Sequence, residues 1–170
     1  MRIIATIVLA LFAITSAVPA VPAEAATIDE MKAYIEDVAL DYDLSPELVM
    51  GVVETESSWD AKADNGVSMG LMQLNRNTYP WLAEQVGIKN VDPYNWKQNV
   101  RMGCWYLDYL RNTAINEGYT DEDALYVHLI YYNRGVAGGR KWMQNHSMYE
   151  NGYAKKVLEV KHRLEKEKYA

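Results

Sequence analysis

The sequence predicts a single, mainly α-helical domain. Helix-starting signals recur along its 170 residues, and apolar residues follow each of them at the spacing of one helical face. No stretch alternates apolar and polar residues over the length of an ordinary strand. The chain is long enough to bury a sizeable core, and its 49% apolar residues with interspersed charges are typical of a globular protein.

The first two helices have clear starting signals. Thr27 and Glu30 fit a capping box, and apolar residues at helical spacing continue to Tyr42. Ser45 followed by Pro46 is an N-cap with proline at the first helical position, which opens a second helix. The segment 59–70 that comes next is rich in aspartate, asparagine and glycine and is predicted to be a loop.

Four more helices are expected further along the chain. They cover about 77–86, about 96–112, the segment from a cap at 120–123 to about 133, and about 152–168. Gly135, Gly138 and Gly139 are expected to break the chain after the third of these helices, because glycine is a poor helix former. Together these segments account for most of the domain.

Residues 1–25 have the pattern of a signal peptide. Met1 and Arg2 give a positive start, segment 3–18 is apolar and uncharged, and Ala23-Glu24-Ala25 is a typical cleavage tripeptide. The apolar run is shorter than the roughly 20 residues that span a bilayer. We therefore expect an exported protein with a mature domain over 26–170 and no stable membrane insertion after cleavage. A retained N-terminal anchor is the alternative.

Charge and reactive side chains narrow the range of functions. The net charge of −6 disfavours a nucleic-acid binder, which needs a basic face. Cys104 is the one cysteine and shares a helical stripe with apolar residues, so we expect a buried thiol rather than a nucleophile. His128, His146 and His162 lack the spacing of a zinc site, and His128 is expected to be a satisfied core residue. We therefore expect neither a metal nor a cofactor.

One carboxylate in the second helix stands in an unexpected place. On a helical wheel Glu56 falls in the middle of an apolar face that includes Val52 and Val53, whereas Glu54 falls on the opposite, solvated side. Burial among apolar residues disfavours the charged form of a carboxyl, raises its pKa and keeps its proton near neutral pH. Such an acid can protonate the leaving oxygen in glycoside cleavage. A buried glutamate paired with an arginine or a capping amide is the alternative.

Four short motifs follow one another in order from the end of this helix. They are Glu56-Ser57-Ser58-Trp59, Gly70-Leu71-Met72-Gln73, Tyr131-Tyr132-Asn133-Arg134-Gly135 and Tyr153-Ala154-Lys155-Lys156-Val157. With these motifs the chain resembles the soluble (SLT-type) lytic transglycosylases, which have a lysozyme-like fold, over about 44–160. The segment 92–107 is also similar to the central helix of that family. Each motif is weak alone, and their order and spacing give the resemblance its specificity.

The resemblance implies roles for seven residues. Glu56 matches the catalytic acid–base residue of the family. The residues that match substrate-binding or cleft-forming positions are Ser57, Met72, Gln73, Tyr132, Asn133 and Tyr153. Gln73 matches a contact to the sugar beside the cut, and Met72 matches a wall of the cleft. The chain departs from the family pattern at Tyr131, where alanine is usual, and over 75–77, where a proline is common, so Tyr131 leaves the local shape of the cleft open.

The resemblance implies a peptidoglycan lytic transglycosylase. Such an enzyme cuts the glycan strand between N-acetylmuramic acid and N-acetylglucosamine and leaves a 1,6-anhydro ring. We expect peptidoglycan strands as the binding partner, a monomer, and a location in the periplasm, the cell wall or outside the cell. One alternative is a hydrolase similar to goose-type lysozymes, for which Asp60 or Asp64 would have to supply a second carboxylate. Another is a non-catalytic wall-binding module, against which an intact Glu56 argues.

Overall fold

The structure, a computed structural model, describes residues 26–168 and residue 170. This part of the chain contains seven α-helices: α1 (Ile28–Asp41), α2 (Pro46–Ser57), α3 (Tyr79–Gln85), α4 (Trp96–Asn116), α5 (Asp121–Arg134), α6 (Val136–Met143) and α7 (Gly152–Lys168). Two short strands, β1 (Ser68–Met69) and β2 (Leu74–Asn75), pair antiparallel, and a 3-10 turn covers Met148–Glu150. The prediction of a mainly α-helical domain is confirmed. The predicted signal peptide lies outside the described residues.

The first two helices begin where their capping residues stand. The side chain of Thr27 accepts a hydrogen bond from the N–H of Glu30, whose own side chain accepts one from the N–H of Thr27. The hydroxyl of Ser45 accepts from the N–H of Leu48 at 3.3 Å, and Pro46 occupies the first turn of α2. These bonds satisfy donors that a helix start leaves unpaired, which is why the sequence locates both starts.

Three elements differ from the prediction. Helix α4 continues for about one turn beyond its predicted end, to Asn116. Gly135 does end α5, with a φ of 69°, but Gly138 and Gly139 lie inside α6, a helix that the sequence reading omits. The β1–β2 hairpin is also unforeseen, because two-residue strands are too short to show alternation. None of the helices in the described ranges combines the length and the apolar content needed to cross a membrane.

The core is formed largely by α1, α2, α4 and α7, and the reactive side chains predicted to lie in it are buried. Cys104 is fully buried in α4, and burial raises the pKa of its thiol, which keeps it neutral. His128 of α5 is buried as well, with its Nδ1 at 3.0 Å from the carbonyl oxygen of Ala124. Burial lowers the pKa of His128 to about 4. Its Nε2 finds no partner within the described residues, so the histidine is only partly satisfied.

Helices α2 and α7 pack closely against each other. Gly51 permits this approach, because a Cβ at that position would lie 2.7 Å from the carbonyl oxygen of Val157. On the outer side of the pair, Arg163 of α7 donates to both carboxylate oxygens of Glu54 at 2.7 Å. The packing places Tyr153, in the first turn of α7, beside the end of α2.

Candidate active site

Glu56 lies in the last turn of α2, one residue before the helix ends. Ser58 and Trp59, just beyond, both have left-handed backbone, with φ of 51° and 69°, and turn the chain away from the helix axis. Residues other than glycine adopt this conformation rarely, so the surrounding packing must hold the turn. Glu54 faces Arg163 and its side chain is 34% exposed. The opposite placement of the two glutamates, predicted from the helical wheel, is therefore confirmed.

The carboxyl group of Glu56 is mostly withdrawn from solvent. The hydroxyl of Tyr153 donates a hydrogen bond to Glu56 Oε1 at 2.8 Å. Burial raises the pKa of Glu56 above its ordinary value of 4.5, and it outweighs the Tyr153 hydrogen bond and the charge of Lys156, which both lower that pKa. The predicted direction of the shift is confirmed, and its physical cause is desolvation.

A turn over residues 70–73 forms another side of the site, and Asn99 of α4 holds it in place. The side-chain oxygen of Asn99 accepts from the N–H of Met72 at 2.7 Å, and its amide nitrogen donates to the carbonyl oxygen of Met69 at 3.1 Å. Asn99 is fully buried, so both bonds are made away from water. Gly70 has a φ of 78°, and a Cβ there would collide with the Asn99 amide. Glycine is required at this position for both reasons.

Met72 does not form a wall of the cleft, and that prediction is corrected. Its side chain is fully buried and packs against Gly103 of α4, where any Cβ would collide with the methionine sulfur. Its carbonyl oxygen accepts a hydrogen bond from the hydroxyl of Tyr132 at 2.7 Å. Met72 therefore supports the turn from the core side, and its side chain is out of reach of a ligand in the cleft.

Gln73 is held in a constrained conformation at the edge of the cleft. Its φ is 47°, in the left-handed region that residues other than glycine rarely occupy. The side-chain nitrogen donates to the carbonyl oxygens of Ala63 and Gly70 at 2.9 and 3.0 Å. Because both partners are acceptors, the network fixes which end of the amide is nitrogen. The amide oxygen is left as the end that can accept a hydrogen bond from a ligand.

The end of α5 supplies the opposite side of the site. Tyr132 is partly buried beside Glu56, whose negative charge adds to burial in raising the tyrosine pKa well above 10.0. Its ring lies 5.6 Å from that of Tyr106 of α4, measured between centroids. Asn133 and Arg134 follow it and are exposed. The hydroxyl of Tyr132 is used by the Met72 carbonyl, so Tyr132 joins the two sides of the site without bonding the carboxyl group.

These groups border a cleft of about 520 Å³. In the described part of the chain its lining residues are Glu56, Asn65, Ser68, Gln73, Leu74, Asn75, Thr78, Tyr106, Tyr132, Asn133, Arg134 and Gly135. Glu56 is the one acidic side chain among them, and Arg134 is the one strong base. The rest are mainly hydroxyl, amide and aromatic groups. Such a lining offers hydrogen bonds and ring faces around the carboxyl group of Glu56.

The two aspartates considered as second carboxylates lie outside this lining. Asp64 binds Arg76 at 2.5 Å and the hydroxyl of Tyr94 at 2.6 Å, and these bonds hold the pKa of its carboxyl far below the ordinary value. Asp60 accepts from the N–H of Lys62 at 2.8 Å within its own turn. Both carboxylates therefore hydrogen-bond within loops.

Arg76 belongs to the segment 75–77 that departs from the family pattern. Its ion pair with Asp64 connects that segment to the loop after α2.

A profile of the Transglycosylase SLT domain matches residues 33–154 of the chain, which is well over half of its length. The chain belongs to the Transglycosylase SLT family. The family assignment made from the four motifs is thus confirmed. The matched range contains all seven residues proposed for the site.

Solved structures with a similar fold include two bacterial lytic transglycosylases. One is an inactive mutant of the lytic transglycosylase Slt of Pseudomonas aeruginosa, with a TM-score of 0.63, 20% identity and coverage of 76% of this chain and 23% of that one. The other is the 70 kDa soluble lytic transglycosylase of Escherichia coli, with a TM-score of 0.62, 19% identity and coverage of 78% and 25%. At these identities the likeness concerns the fold of the SLT domain, and this chain spans about a quarter of either protein.

A relative is also found in a bacteriophage. The transglycosylase of Enterobacteria phage PRD1 is 44% identical to this chain over 67 residues, or 39% of this chain and 23% of the phage protein. The shared part therefore covers less than a quarter of the relative.

The structure brings four of the seven predicted residues to the cleft surface: Glu56, Gln73, Tyr132 and Asn133. Tyr153 does not line the cleft, but its hydroxyl donates a hydrogen bond to Glu56. Ser57 donates to the carbonyl oxygen of Val53 at 3.1 Å and does not line the cleft. The sequence reading gave no site role to Asn99, which holds the turn, or to Tyr106. Both lie in the segment 92–107 that is similar to the central helix of the family, and an asparagine among the apolar residues of that helix is the signal that could have pointed to the first.

Proposed function

We propose that this SLT domain cleaves the β-1,4 bond between N-acetylmuramic acid and N-acetylglucosamine in peptidoglycan, with formation of 1,6-anhydro ends, and that Glu56 is both acid and base. The observation that carries the proposal is the state of one carboxyl group. Among the described residues that line the cleft Glu56 is the one acid, and burial raises its pKa. A raised pKa favours the protonated form of the carboxyl group, and that is the form that can give a proton to a leaving sugar oxygen.

The reaction proceeds in two steps with one carboxyl group. Glu56 first gives its proton to the glycosidic oxygen while the bond from that oxygen to C1 of the muramic acid breaks, and the neighbouring N-acetyl group stabilises the positive charge on C1. The Glu56 carboxylate then removes the proton of the C6 hydroxyl of the same sugar, whose oxygen bonds to C1 and closes the anhydro ring. The proton returns to Glu56, and no water is consumed.

Among the described residues the lining of the cleft contains no second carboxylate, which favours this reaction over hydrolysis. Water attack needs a base that holds the water, and inverting glycosidases keep their two carboxyl groups roughly 6.5–9.5 Å apart for that purpose. Asp64 is occupied by Arg76 and Tyr94, and Asp60 by its own turn. The C6 hydroxyl of the sugar needs no second carboxylate to hold it, because it is already tethered to the same ring as the reacting carbon. Glu56 alone can remove its proton.

Other cleft residues are proposed to orient the sugars. Gln73 offers its amide oxygen to a sugar hydroxyl or to an N-acetyl N–H, since its nitrogen is held by two carbonyl groups. Asn133 is exposed in the lining and offers both a donor and an acceptor. Tyr153 is proposed to keep the Glu56 carboxyl in one orientation through its 2.8 Å bond. Peptidoglycan lies outside the cytoplasm, so we propose an exported enzyme of the periplasm, the cell wall or the medium.

The direct test is mass analysis of the fragments released from purified peptidoglycan. The wild type should release fragments with anhydro-muramic acid ends, each one water lighter than its hydrolysis counterpart. Glu56→Gln should lower the rate by about 100- to 10,000-fold, the usual contribution of acid–base catalysis. Glu54→Gln, on the same helix but facing Arg163, is the matched control and should keep nearly all activity.

Three outcomes would contradict the proposal. Full activity of Glu56→Gln would show that Glu56 is not the catalytic acid. Fragments with only reducing ends, together with an inactive Asp60→Asn variant, would identify a hydrolase with a second carboxylate. A chain that binds the wall but releases nothing would be the non-catalytic module.

A further inference from the structure

Four aromatic side chains form a patch on α3 and α4, next to the cleft. We call Trp81, Trp105, Tyr106 and Tyr109 the outer aromatic patch. The ring of Tyr109 stacks on Trp105 at 5.4 Å, with an angle of 14° between their planes, and on Tyr106 at 6.3 Å and 12°. The ring of Trp81 meets the other three edge-on, at 5.1 to 6.2 Å between centroids.

The outer aromatic patch is open to solvent at two of its members. Trp81 is 37% exposed and Tyr109 is 42% exposed, while Trp105 and Tyr106 are partly buried. Isolated exposed hydrophobic residues are normal on protein surfaces and need no explanation. Here the exposed rings belong to a contiguous cluster that is already fixed by mutual packing, so its surface is rigid before any ligand arrives.

The patch is continuous with the cleft along two elements. Tyr106 belongs to the patch and also lines the cleft beside Tyr132. On the other element Thr78, the residue before α3, lines the cleft, and Trp81 follows it by one turn. Both elements therefore lead from the lining of the cleft out to the exposed rings.

We propose that the outer aromatic patch is a second sugar-binding surface, which holds pyranose rings of the same glycan strand beyond those in the cleft. This inference rests on the proposed function, because a polymeric substrate must leave the cleft across one of its borders. The apolar C–H face of a pyranose can cover an aromatic ring and remove apolar area from water. Two exposed rings offer enough surface for one or two sugars. A specific protein partner usually buries about 800 Å² of surface on each side of the interface.

The test compares binding of short and long glycans to variants of the Glu56→Gln chain, in which cleavage does not interfere. The probes are peptide-free peptidoglycan strands separated into tetrasaccharide and octasaccharide fractions, and the readout is titration calorimetry. Trp81→Ala and Tyr109→Ala should each weaken octasaccharide binding by about 3- to 10-fold, the effect of one aromatic contact. The preference for the octasaccharide over the tetrasaccharide should fall by a similar factor.

The control is Tyr149→Ala, which removes an aromatic ring that is 43% exposed and lies outside the cleft lining. It should keep the wild-type preference for the longer strand. Tyr109→Phe should keep it as well, because stacking uses the ring and not the hydroxyl. If Trp81→Ala unfolds, as its three ring contacts allow, Tyr109→Ala and Tyr109→Phe still decide the question.

Equal length preference in the Glu56→Gln chain with and without Tyr109→Ala would overturn the inference, and so would a dependence on Tyr109 that is seen only with peptide-bearing strands. Failure of the proposed reaction gives a different result. In that case the wild type releases no anhydro ends, while loss of the length preference in the patch variants still identifies a glycan surface.

Discussion

Two glutamates two residues apart have opposite environments. Glu54 is bound by Arg163 on the outer side of α2 and α7, in an exposed pair of the kind that contributes roughly 0–1 kcal/mol. Glu56 is on the inner side, where burial dominates and the nearest bonding partner is the hydroxyl of Tyr153. At about 100° per residue, two residues turn the side chains by about 200°, so the two glutamates point to opposite faces of the helix.

The raised pKa of Glu56 predicts how the protein responds to pH. A carboxyl whose pKa is raised on folding stabilises the protein fully below the unfolded value of about 4.3, and this contribution is lost as pH rises to the folded value. Glu56→Gln should therefore be at least as stable as wild type near neutral pH, and the difference should disappear at low pH. Urea unfolding at several pH values measures this. A Gln variant that is clearly less stable at neutral pH would mean that a structural ion pair holds Glu56 in its charged form.

Tyr153 is predicted to set the position of the basic limb of the pH–rate profile. Its hydrogen bond lowers the pKa of Glu56 against the effect of burial. Tyr153→Phe removes that bond, so the pH at which activity declines should move upward, with a lower maximal rate if the carboxyl is less well oriented. Tyr132→Phe is the matched control, since its hydroxyl bonds the Met72 carbonyl and not the carboxyl group. A limb that moves downward in Tyr153→Phe would contradict the assignment.

At the scale of elements, Tyr131 shows how a departure from a family pattern is accommodated. The tyrosine is fully buried in the smaller core cluster with Leu110 and Val127, and its hydroxyl donates to Glu117 at 2.5 Å. Its ring occupies the space above Gly139 of α6, where a Cβ would lie 2.6 Å from the ring. The larger residue at 131 therefore points away from the cleft and leaves its shape unaffected.

This packing predicts different outcomes for two neighbouring glycines of α6. Gly139→Ala should destabilise the protein by about 1–3 kcal/mol, because the new methyl group overpacks the Tyr131 ring. Gly138→Ala meets only the Cβ of Arg134 at 3.5 Å, an ordinary contact, and should be neutral or stabilising by up to about 1 kcal/mol. Thermal or urea unfolding of both variants checks the contrast. Equal effects at the two positions would show that α6 does not pack as described.

Helix starts marked by a cap can be predicted from the sequence, whereas α6 could not. Caps such as those at Thr27 and Ser45 are local signals, so the starts of α1 and α2 are predictable. In α6 the local signal is misleading. Gly139 opposes helix formation by propensity, but it is there because a ring from α5 needs the space, and that contact is visible only in three dimensions.

At the scale of the whole molecule, the site is predictable where its residues sit in contiguous motifs. Glu56, Gln73 and Asn133 each lie in one of the motifs, and all three reach the cleft. Met72 lies in the same motif as Gln73, but its side chain is fully buried against Gly103, so the motif alone does not tell which of the two side chains reaches the cleft. Asn99 lies far away in sequence, and its role follows only from the packing of α4 against the turn.

The net charge of the whole molecule predicts how the proposed binding to the cell wall responds to salt. The net charge is −6, and the described residues that line the cleft include one acid, Glu56, and one cation, Arg134. Binding that depends on hydrogen bonds and ring faces should be insensitive to ionic strength, and on wall material of net negative charge screening should relieve repulsion. Raising salt from about 0.05 M to about 0.5 M shortens the Debye length from roughly 14 to roughly 4 Å.

Sedimentation of the Glu56→Gln variant with purified wall should therefore give an affinity that stays constant or improves over that range of salt. A steep loss with salt would show that a local cation governs binding despite the net charge. Arg134→Ala then identifies the source, because removal of the cleft cation should abolish the salt dependence if Arg134 is responsible. A salt dependence that persists in Arg134→Ala would place the electrostatic contact outside the cleft, and wall binding would have to be reassigned to another surface of the domain.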